Sequence, residues 1–319
     1  MKPTLQQAFE TYFHKKYSFN DFLTIDVSSE YTSIFYSKNT YSPSAKIKNY
    51  QRFLNLFMFE SMPINERVAF AYRKGVNAVD AIKPHKDAPH ILTTDIKSFF
   101  SSISVDKLKT QILQQKSNAL LEESSIADSI NSIMNIVTFN SLLPIGAPSS
   151  PVLSNIYLCN LDNAIEKICT EKGIVFTRYS DDFIFSCESR DRLETLYDEL
   201  PAFFTLLGYK GIELNCDKTK YHSKARGKIL LLGLSLTHQG FITLDSSVKK
   251  EIEVLLHFYI NDKDKFKNFF EKKFQSNLDK VSGTLSHINS IDPYYMDKLR
   301  CKYGNFVVNS FMHRDIANV

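Results

Sequence analysis

Two short β-branched and aromatic runs, Ile174-Val175-Phe176-Thr177 and Phe183-Ile184-Phe185-Ser186, flank the tetrapeptide Tyr179-Ser180-Asp181-Asp182. Runs of that composition favour strands and the residues between them are turn formers, so the segment is predicted to be a tight antiparallel hairpin. Its tip then presents two adjacent carboxylates. Like charges that close repel and raise each other's pKa unless something neutralises them. A divalent cation is the usual neutraliser, and hard oxygen ligands suit Mg²⁺ or Mn²⁺. Taken alone, an acidic pair in a loop is most often a solvated turn.

A second carboxylate source lies upstream. Ile91-Leu92-Thr93-Thr94-Asp95-Ile96-Lys97-Ser98-Phe99-Phe100 begins as a β-prone run that places Asp95 at its end, just before a helical segment. Asp95 alone reads as a helix-entry cap or a surface turn. Together with the hairpin it supplies a carboxylate from another strand. Two metal ions about 4 Å apart, clamped by carboxylates of neighbouring strands, activate a 3′-hydroxyl and stabilise a leaving pyrophosphate. Phosphoryl chemistry asks the protein mainly for positioning and charge neutralisation.

At this point the sequence resembles the reverse transcriptases, and among them the bacterial retron-type enzymes. Asp95-x-x-x-Phe99-Phe100 is similar to their first palm motif, and Gly146-Ala147-Pro148-Ser149-Ser150-Pro151 resembles Gly-x-Pro-x-Ser-Pro. Tyr179–Asp182 resembles Tyr-x-Asp-Asp, and Asn215-Cys216-Asp217-Lys218-Thr219 resembles Asn-x-x-Lys-Thr. Leu232-Gly233-Leu234 stands where the primer-grip hairpin belongs. The flanks resemble retron enzymes more loosely, through Pro43-Ser44-x-x-Ile47-Lys48 with Gln51-Arg52, and through Ile291-Asp292-Pro293 with Lys298-Leu299. Several positions differ. The Asn-Ala-x-x-His signature is met by Asp80-Ala81-Ile82-Lys83-Pro84-His85, one residue longer, and Val-Thr-Gly by Leu231-Leu232-Gly233. Ile145 stands where many family members have Gln, and Lys38 is the counterpart of the finger-strand Arg.

The resemblance implies an α+β right-hand polymerase: fingers and palm over residues 1–240, built of an antiparallel sheet plus helices, then a helical thumb over 241–319. It implies RNA-directed DNA synthesis with two Mg²⁺ ions (Mn²⁺ as substitute) held by Asp95, Asp181, Asp182 and the backbone carbonyl of Ile96. Lys218 would protonate the leaving pyrophosphate, or else pair with Asp217; general-acid help of this kind is worth about 10²–10⁴ in rate. Phe100 would exclude a 2′-hydroxyl sterically, with a core phenylalanine as the plain alternative. Lys38, Tyr179, Gly146 and Pro148 complete the implied nucleotide site, the last two by shaping a loop whose backbone approaches the substrate. His85 and His222 read as structural or exposed. The implied partners are a structured non-coding RNA that serves as template and primer, dNTPs, the DNA product, a separate effector protein and a separate RNase H. Anti-phage defence in a bacterial cytoplasm is the implied setting. Rival readings are a defence reverse transcriptase outside the retrons, which shares these residues, and a catalytically silent RNA-binding protein, which has no need of all three carboxylates with Lys218. An RNA-synthesising polymerase is disfavoured by Phe100.

Composition agrees. A chain of 319 residues with 43% hydrophobic residues buries a substantial core. It has no apolar run near the roughly 20 residues of a membrane span, and Met1 to Lys16 lacks the apolar centre of a secretory signal. The five cysteines are odd in number with no Cys-x-x-Cys pair, which favours reduced thiols. Net charge is only +4, but Lys218, Lys220, Lys224, Arg226 and Lys228 form a stretch without an acid. Such a run is either a solvated face or a phosphate contact, and its place between the Lys218 motif and Gly233 favours phosphate. Lys249 to Lys302 holds 11 bases against 8 acids, and Lys298, Arg300 and Lys302 are the expected RNA contacts there.

Helices are expected over Gln51–Met62, Val105–Gln115, Ala119–Val137, Ser149–Gly173 and Arg190–Gly208, with a break or kink at Pro201. Strands are expected at Ile212–Asn215, Ile229–Leu236 and Phe241–Leu244, and helices throughout after Ser246.

Overall fold

A computed structural model of the chain describes residues 2–33 and 41–315. The chain divides into two compact units. One comprises the residues up to Ala81 together with Pro89–Tyr221, and the other Ile82–Ala88 together with the residues from His222 onward. By this division residues 222–240 fall with the C-terminal helices, whereas the line expected from sequence lies at residue 240.

The first unit opens with α1 (Leu5–Phe13) and α2 (Phe19–Thr24), the paired strands β1 (Tyr31–Ser33) and β2 (Tyr41–Pro43), then α3 (Ala45–Phe57) and α4 (Ala78–Ile82). Strand β3 (His90–Asp95) follows, then α5 (Phe99–Ser102), α6 (Val105–Gln115), α7 (Glu123–Val137) and the long α8 (Ser150–Glu171). The hairpin β4 (Val175–Tyr179) and β5 (Asp182–Cys187) and α9 (Arg190–Leu206) complete the series, and β6 (Lys220–Ser223) starts in this unit and ends past its last residue, Tyr221. The sheet order is β4-β5-β3-β6, with β5 antiparallel to both β4 and β3. The inward faces of these strands are apolar, Phe176, Phe183 and Phe185 among them, and they share one core with Leu153, Ile156 and Leu161 of α8 and Leu196 and Phe204 of α9. Burial at roughly 25 cal/mol per Å² of apolar surface makes that shared core the main force holding the hairpin in place.

In the second unit a three-stranded sheet, β7 (Ile229–Leu231), β8 (Leu234–Leu236) and β9 (Ile242–Leu244), precedes helices α10 (Ser246–Asn261), α11 (Lys263–Phe274), α12 (Leu278–Ile291), α13 (Pro293–Tyr303) and α14 (Asn305–His313). Leu255, Leu285, Ile288, Met296, Val308 and Phe311 are fully buried among these helices.

The α+β class and the order of elements follow the sequence reading, with five local differences. Helix α3 starts at Ala45 and ends at Phe57 rather than running Gln51–Met62, because Ser44 caps it through a 3.2 Å bond from the Ile47 amide. Helix α7 starts at Glu123 rather than Ala119, since the Leu120 amide is spent on the Phe57 carbonyl. Pro201 does not break α9, which runs through it. Residues 212–215 form no strand: Leu214 makes one bridge to Ile96, and the chain at Ser98 has already turned away with φ +50°. The stretch 229–236 is two strands, because Leu232 and Gly233 both have positive φ and form the two-residue loop of a hairpin.

Candidate active site

The register of two strand pairs brings the acids together. Across β3 and β5, Asp95 lies directly opposite Asp182. Across β4 and β5, Tyr179 lies opposite Asp182, so Ser180 and Asp181 are the whole of the connecting loop. Beyond β3 the Ile96 amide donates to the Asp181 carbonyl at 3.0 Å, which ties the loop to the strand that carries Asp95. The three carboxylates therefore share one edge of the sheet, on rigid elements with a common core beneath them.

Their electrostatics are those of an under-neutralised cluster. Asp95 is only 4% exposed. Lys218 Nζ donates to its Oδ2 at 2.7 Å, while Oδ1 is buried without a partner among the described residues. The Asp182 side chain reaches solvent on one side, yet loss of hydration, then the charges of Asp181 and Asp95, push its carboxyl up to about 6 against the pull of Lys218. The bond to Asp95 holds the Lys218 ammonium above its usual range. Lys218 thus pairs with Asp95, and the alternative pairing with Asp217 is not the one formed. Its backbone is set by a short 3₁₀ turn, Cys216–Lys218, and Asn215 N donates to Asp95 O at 2.9 Å. Next to it the Thr219 and Thr94 hydroxyls meet at 2.8 Å.

As the side chains stand, no three His, Cys, Asp or Glu groups among the described residues form a ready metal cage. The donor set nevertheless fits a hard divalent cation: three carboxylates on one edge, one buried oxygen of Asp95 unpartnered, and Asp182 pushed toward protonation by loss of hydration first and by the charges of Asp181 and Asp95 after it. Asp95, Asp181, Asp182 and the Ile96 carbonyl are the residues able to hold it.

Around this edge, Phe100 is half-buried, its ring 5.1 Å from that of Phe99, and packs on the core. Gly146 has φ +94°, and a Cβ there would come within 3.2 Å of the Tyr41 carbonyl, so the loop before α8 admits only glycine without strain. Pro148 gives its carbonyl to Asn55 Nδ2 at 2.9 Å. Lys38 lies outside the described residues.

The basic residues are unequal. Lys220 and Arg226 are exposed. Lys224 is buried, its ammonium donating to the Lys86 carbonyl, so it braces the segment 82–88 and is not free for a phosphate. Lys228 bonds Asp245 and Ser246 at 3.1 Å each, and Gly233 sits at the tip between β7 and β8. In α13, Lys302 pairs with Glu253 and Arg300 with Asp297, while Lys298 lies 4.6 Å above the Tyr294 ring.

Four residues that sequence reasoning passed over support the hairpin from beneath. Arg178 of β4 is 0% exposed and meets Asp162 of α8, also 0% exposed, in a two-point ion pair: Nε to Oδ1 at 2.8 Å and Nη2 to Oδ2 at 2.6 Å. Nη2 also donates to Asn155 Oδ1 at 3.1 Å, and Nη1 to the Ser180 carbonyl at 2.9 Å. Tyr72 completes the group, its hydroxyl 2.6 Å from that of Ser180. A signal was present. An arginine inside an otherwise apolar strand run is out of place, and Asn155 and Asp162, seven apart, share the apolar face of a helix.

Residues 38–257 match the family model described as reverse transcriptase (RNA-dependent DNA polymerase). The chain is 28% identical over 279 residues to the retron Ec83 reverse transcriptase of Escherichia coli, covering 84% of this chain and 83% of the relative. It is 26% identical over 275 residues to the retron Ec73 reverse transcriptase of the same organism, covering 83% of each. Among solved structures, an apo telomerase from Candida tropicalis aligns with a TM-score of 0.43 at 14% identity over 84% of this chain, which spans about half of that one (53%). By the family match, which covers more than half of its length, the chain belongs to the reverse transcriptases, the RNA-directed DNA polymerases, and it is of the retron type.

Proposed function

We propose that this enzyme copies a structured non-coding RNA into DNA by two-metal nucleotidyl transfer at Asp95, Asp181 and Asp182. The observation that carries the assignment is the placement of Asp95 directly opposite Asp182 with a buried, unpartnered oxygen on Asp95. Two Mg²⁺ ions, or Mn²⁺ in their place, would supply activation of the primer 3′-hydroxyl and neutralisation of the pyrophosphate charge. The chain's own residues do the rest. The carboxylates fix where the reacting oxygens meet, held in register against their mutual repulsion by the strand pairing and the bonds to the loop. Lys218, salt-bridged to Asp95 at rest, exchanges that partner for the leaving pyrophosphate and gives it a proton. Phe100 stands under the sugar and leaves no volume for a 2′-hydroxyl. Gly146 and Pro148 bring loop backbone to the nucleotide, with Tyr179 and Lys38 as further contacts. Residues 1–240 serve as fingers and palm and 241–319 as thumb.

Lys220, Arg226 and Gly233 face the primer–template, and Lys298, Arg300 and Lys302 hold the folded RNA. Lys228 joins them once its bond to Asp245 opens. The similarity to retron enzymes supports an RNA that carries both template and primer, a separate effector and RNase H, and a role in anti-phage defence in a bacterial cytoplasm. No helix of the described residues is long and apolar enough to cross a membrane.

The test is extension of an RNA-templated DNA primer by purified protein. Asp181→Asn and Asp95→Asn should each abolish nucleotide addition with the fold intact, and near-normal extension by either variant would sink the assignment. Sequencing the nucleic acid that copurifies should give a structured RNA joined to short DNA; repetitive or untemplated DNA would count against the retron setting.

A further inference from the structure

Ser180 is the first of the two loop residues between β4 and β5, and its φ is +60°. Hairpins ordinarily put glycine or asparagine in such positions, because a Cβ disfavours left-handed backbone. Here the conformation is held by contacts at both ends of the residue. Arg178 Nη1 donates to the Ser180 carbonyl at 2.9 Å, and the Ser180 and Tyr72 hydroxyls share a bond of 2.6 Å. Tyr72 is itself left-handed, with φ +63°.

The stretch leading to Tyr72 is anchored on two sides. Arg178 N donates to Val68 O at 2.6 Å and Phe70 N to Arg178 O at 2.9 Å, which ties it to β4. Asn155 Nδ2 donates to Ala71 O at 2.9 Å, which ties it to α8. From that fixed base the left-handed turn at Tyr72 aims its hydroxyl at the carboxylate loop. The ring is 44% exposed, so its place is poorly explained by core packing.

We infer that Tyr72 is a positioning residue for the acidic loop and acts through Ser180, latching Asp181 and Asp182 in register with Asp95. A two-residue loop has few torsions. With the Ser180 carbonyl and hydroxyl both held, the direction of Asp181 is determined. Without the hydroxyl bond, repulsion among the three carboxylates has a torsion through which to relax, and they spread. The inference rests on the assignment of Asp181 and Asp182 as metal ligands.

The experiment is a double-mutant cycle of Tyr72→Phe, Ser180→Ala and both together, with Asp181→Asn alongside. Each protein is titrated with Mn²⁺ by electron paramagnetic resonance without nucleotide, and assayed for kcat and KM on a primed RNA template. Each single variant should lose about five- to tenfold in Mn²⁺ affinity and in kcat, the worth of one hydrogen bond. KM for dNTP should move less, and the double variant should be no worse than either single. Wild-type Mn²⁺ affinity in Tyr72→Phe, or losses that multiply in the double variant, would overturn the latch while an inactive Asp181→Asn leaves the site assignment standing. Full activity and Mn²⁺ binding in Asp181→Asn would overturn the assignment itself, and the latch with it.

Discussion

Replacing Asp162 with Asn removes one charge from a pair in which neither side chain is exposed. The Arg178 guanidinium keeps Asn155 and the Ser180 carbonyl as partners, but its Nε and Nη2 now face an amide that has one acceptor and two donors. One bond is broken, one N–H is set against another N–H, and the cation stays buried without its counter-charge. Breaking a fully buried pair from one side costs about 3–5 kcal/mol, a large share of the roughly 5–15 kcal/mol that holds a domain together. The urea midpoint of Asp162→Asn should fall accordingly. The companion Arg178→Met with Asp162→Leu removes both charges and fills the space with apolar atoms, which is often neutral or stabilising by about 1–4 kcal/mol. That double variant should melt near wild type, yet extend primers poorly, because nothing then holds the Ser180 carbonyl. If Asp162→Asn costs under about 1 kcal/mol, the pair does not act as a buried brace. If the double variant is both stable and fully active, the brace has no part in placing the acidic loop.

Three further outcomes are expected. Phe100→Val should raise ribonucleotide incorporation relative to deoxyribonucleotide, read as a ratio of kcat/KM values, and equal slowing with both substrates would mark Phe100 as a core residue only. Neutralising Lys298, Arg300 and Lys302 to Gln breaks two surface ion pairs and the cation–ring contacts of Lys298 with Tyr294 and Lys302 with Tyr303, each worth little to folding at an exposed site. It should weaken binding of any structured RNA that copurifies and flatten its salt dependence by roughly 0.7–0.9 in slope for each phosphate no longer neutralised, and an equal effect on a generic primer–template would make these helices an unspecific clamp. His85 is fully buried, which pulls its pKa down to about 3, so its neutral form is favoured by folding. Its contribution is whole above the unfolded pKa of about 6.5 and drains as pH falls from there toward 3, about 2 kcal/mol by pH 5. The stability gap between wild type and His85→Gln should shrink by that amount between pH 7 and 5, and a constant gap would refute the assignment of His85 as a buried neutral group.

Legibility of the fold tracked how local each signal was. The hairpin, α6 and the C-terminal helices were read well because their periodicity and caps lie within a dozen residues. The strand expected over 212–215 failed for a non-local reason: its partner, β3, ends at Asp95 and turns away at Ser98. Leu231-Leu232-Gly233 read as one strand because leucine rarely takes positive φ, and only the Gly hinted at a loop. Lys224 read as a phosphate contact because a basic run looks alike whether its members point to solvent or, as here, brace a carbonyl 138 residues away.

The site divides along the same line, and the division has a physical cause. The proposed chemistry needs particular side chains at particular spacings, so the three acids, Lys218 and the Gly146 loop stand out in the sequence. Holding those acids in place needs only that some buried donor reach a backbone carbonyl, and many residue pairs satisfy that. The one trace such a brace leaves is a charge where a core residue belongs. Arg178 in β4 and Asp162 in α8 are two such misplacements, and a buried charge is tolerated only when another answers it. Two unexplained charges on elements that must pack together are therefore a readable prediction of a pair. In this chain the arginine is two residues before Ser180, so the pair so predicted lies directly beneath the acidic loop.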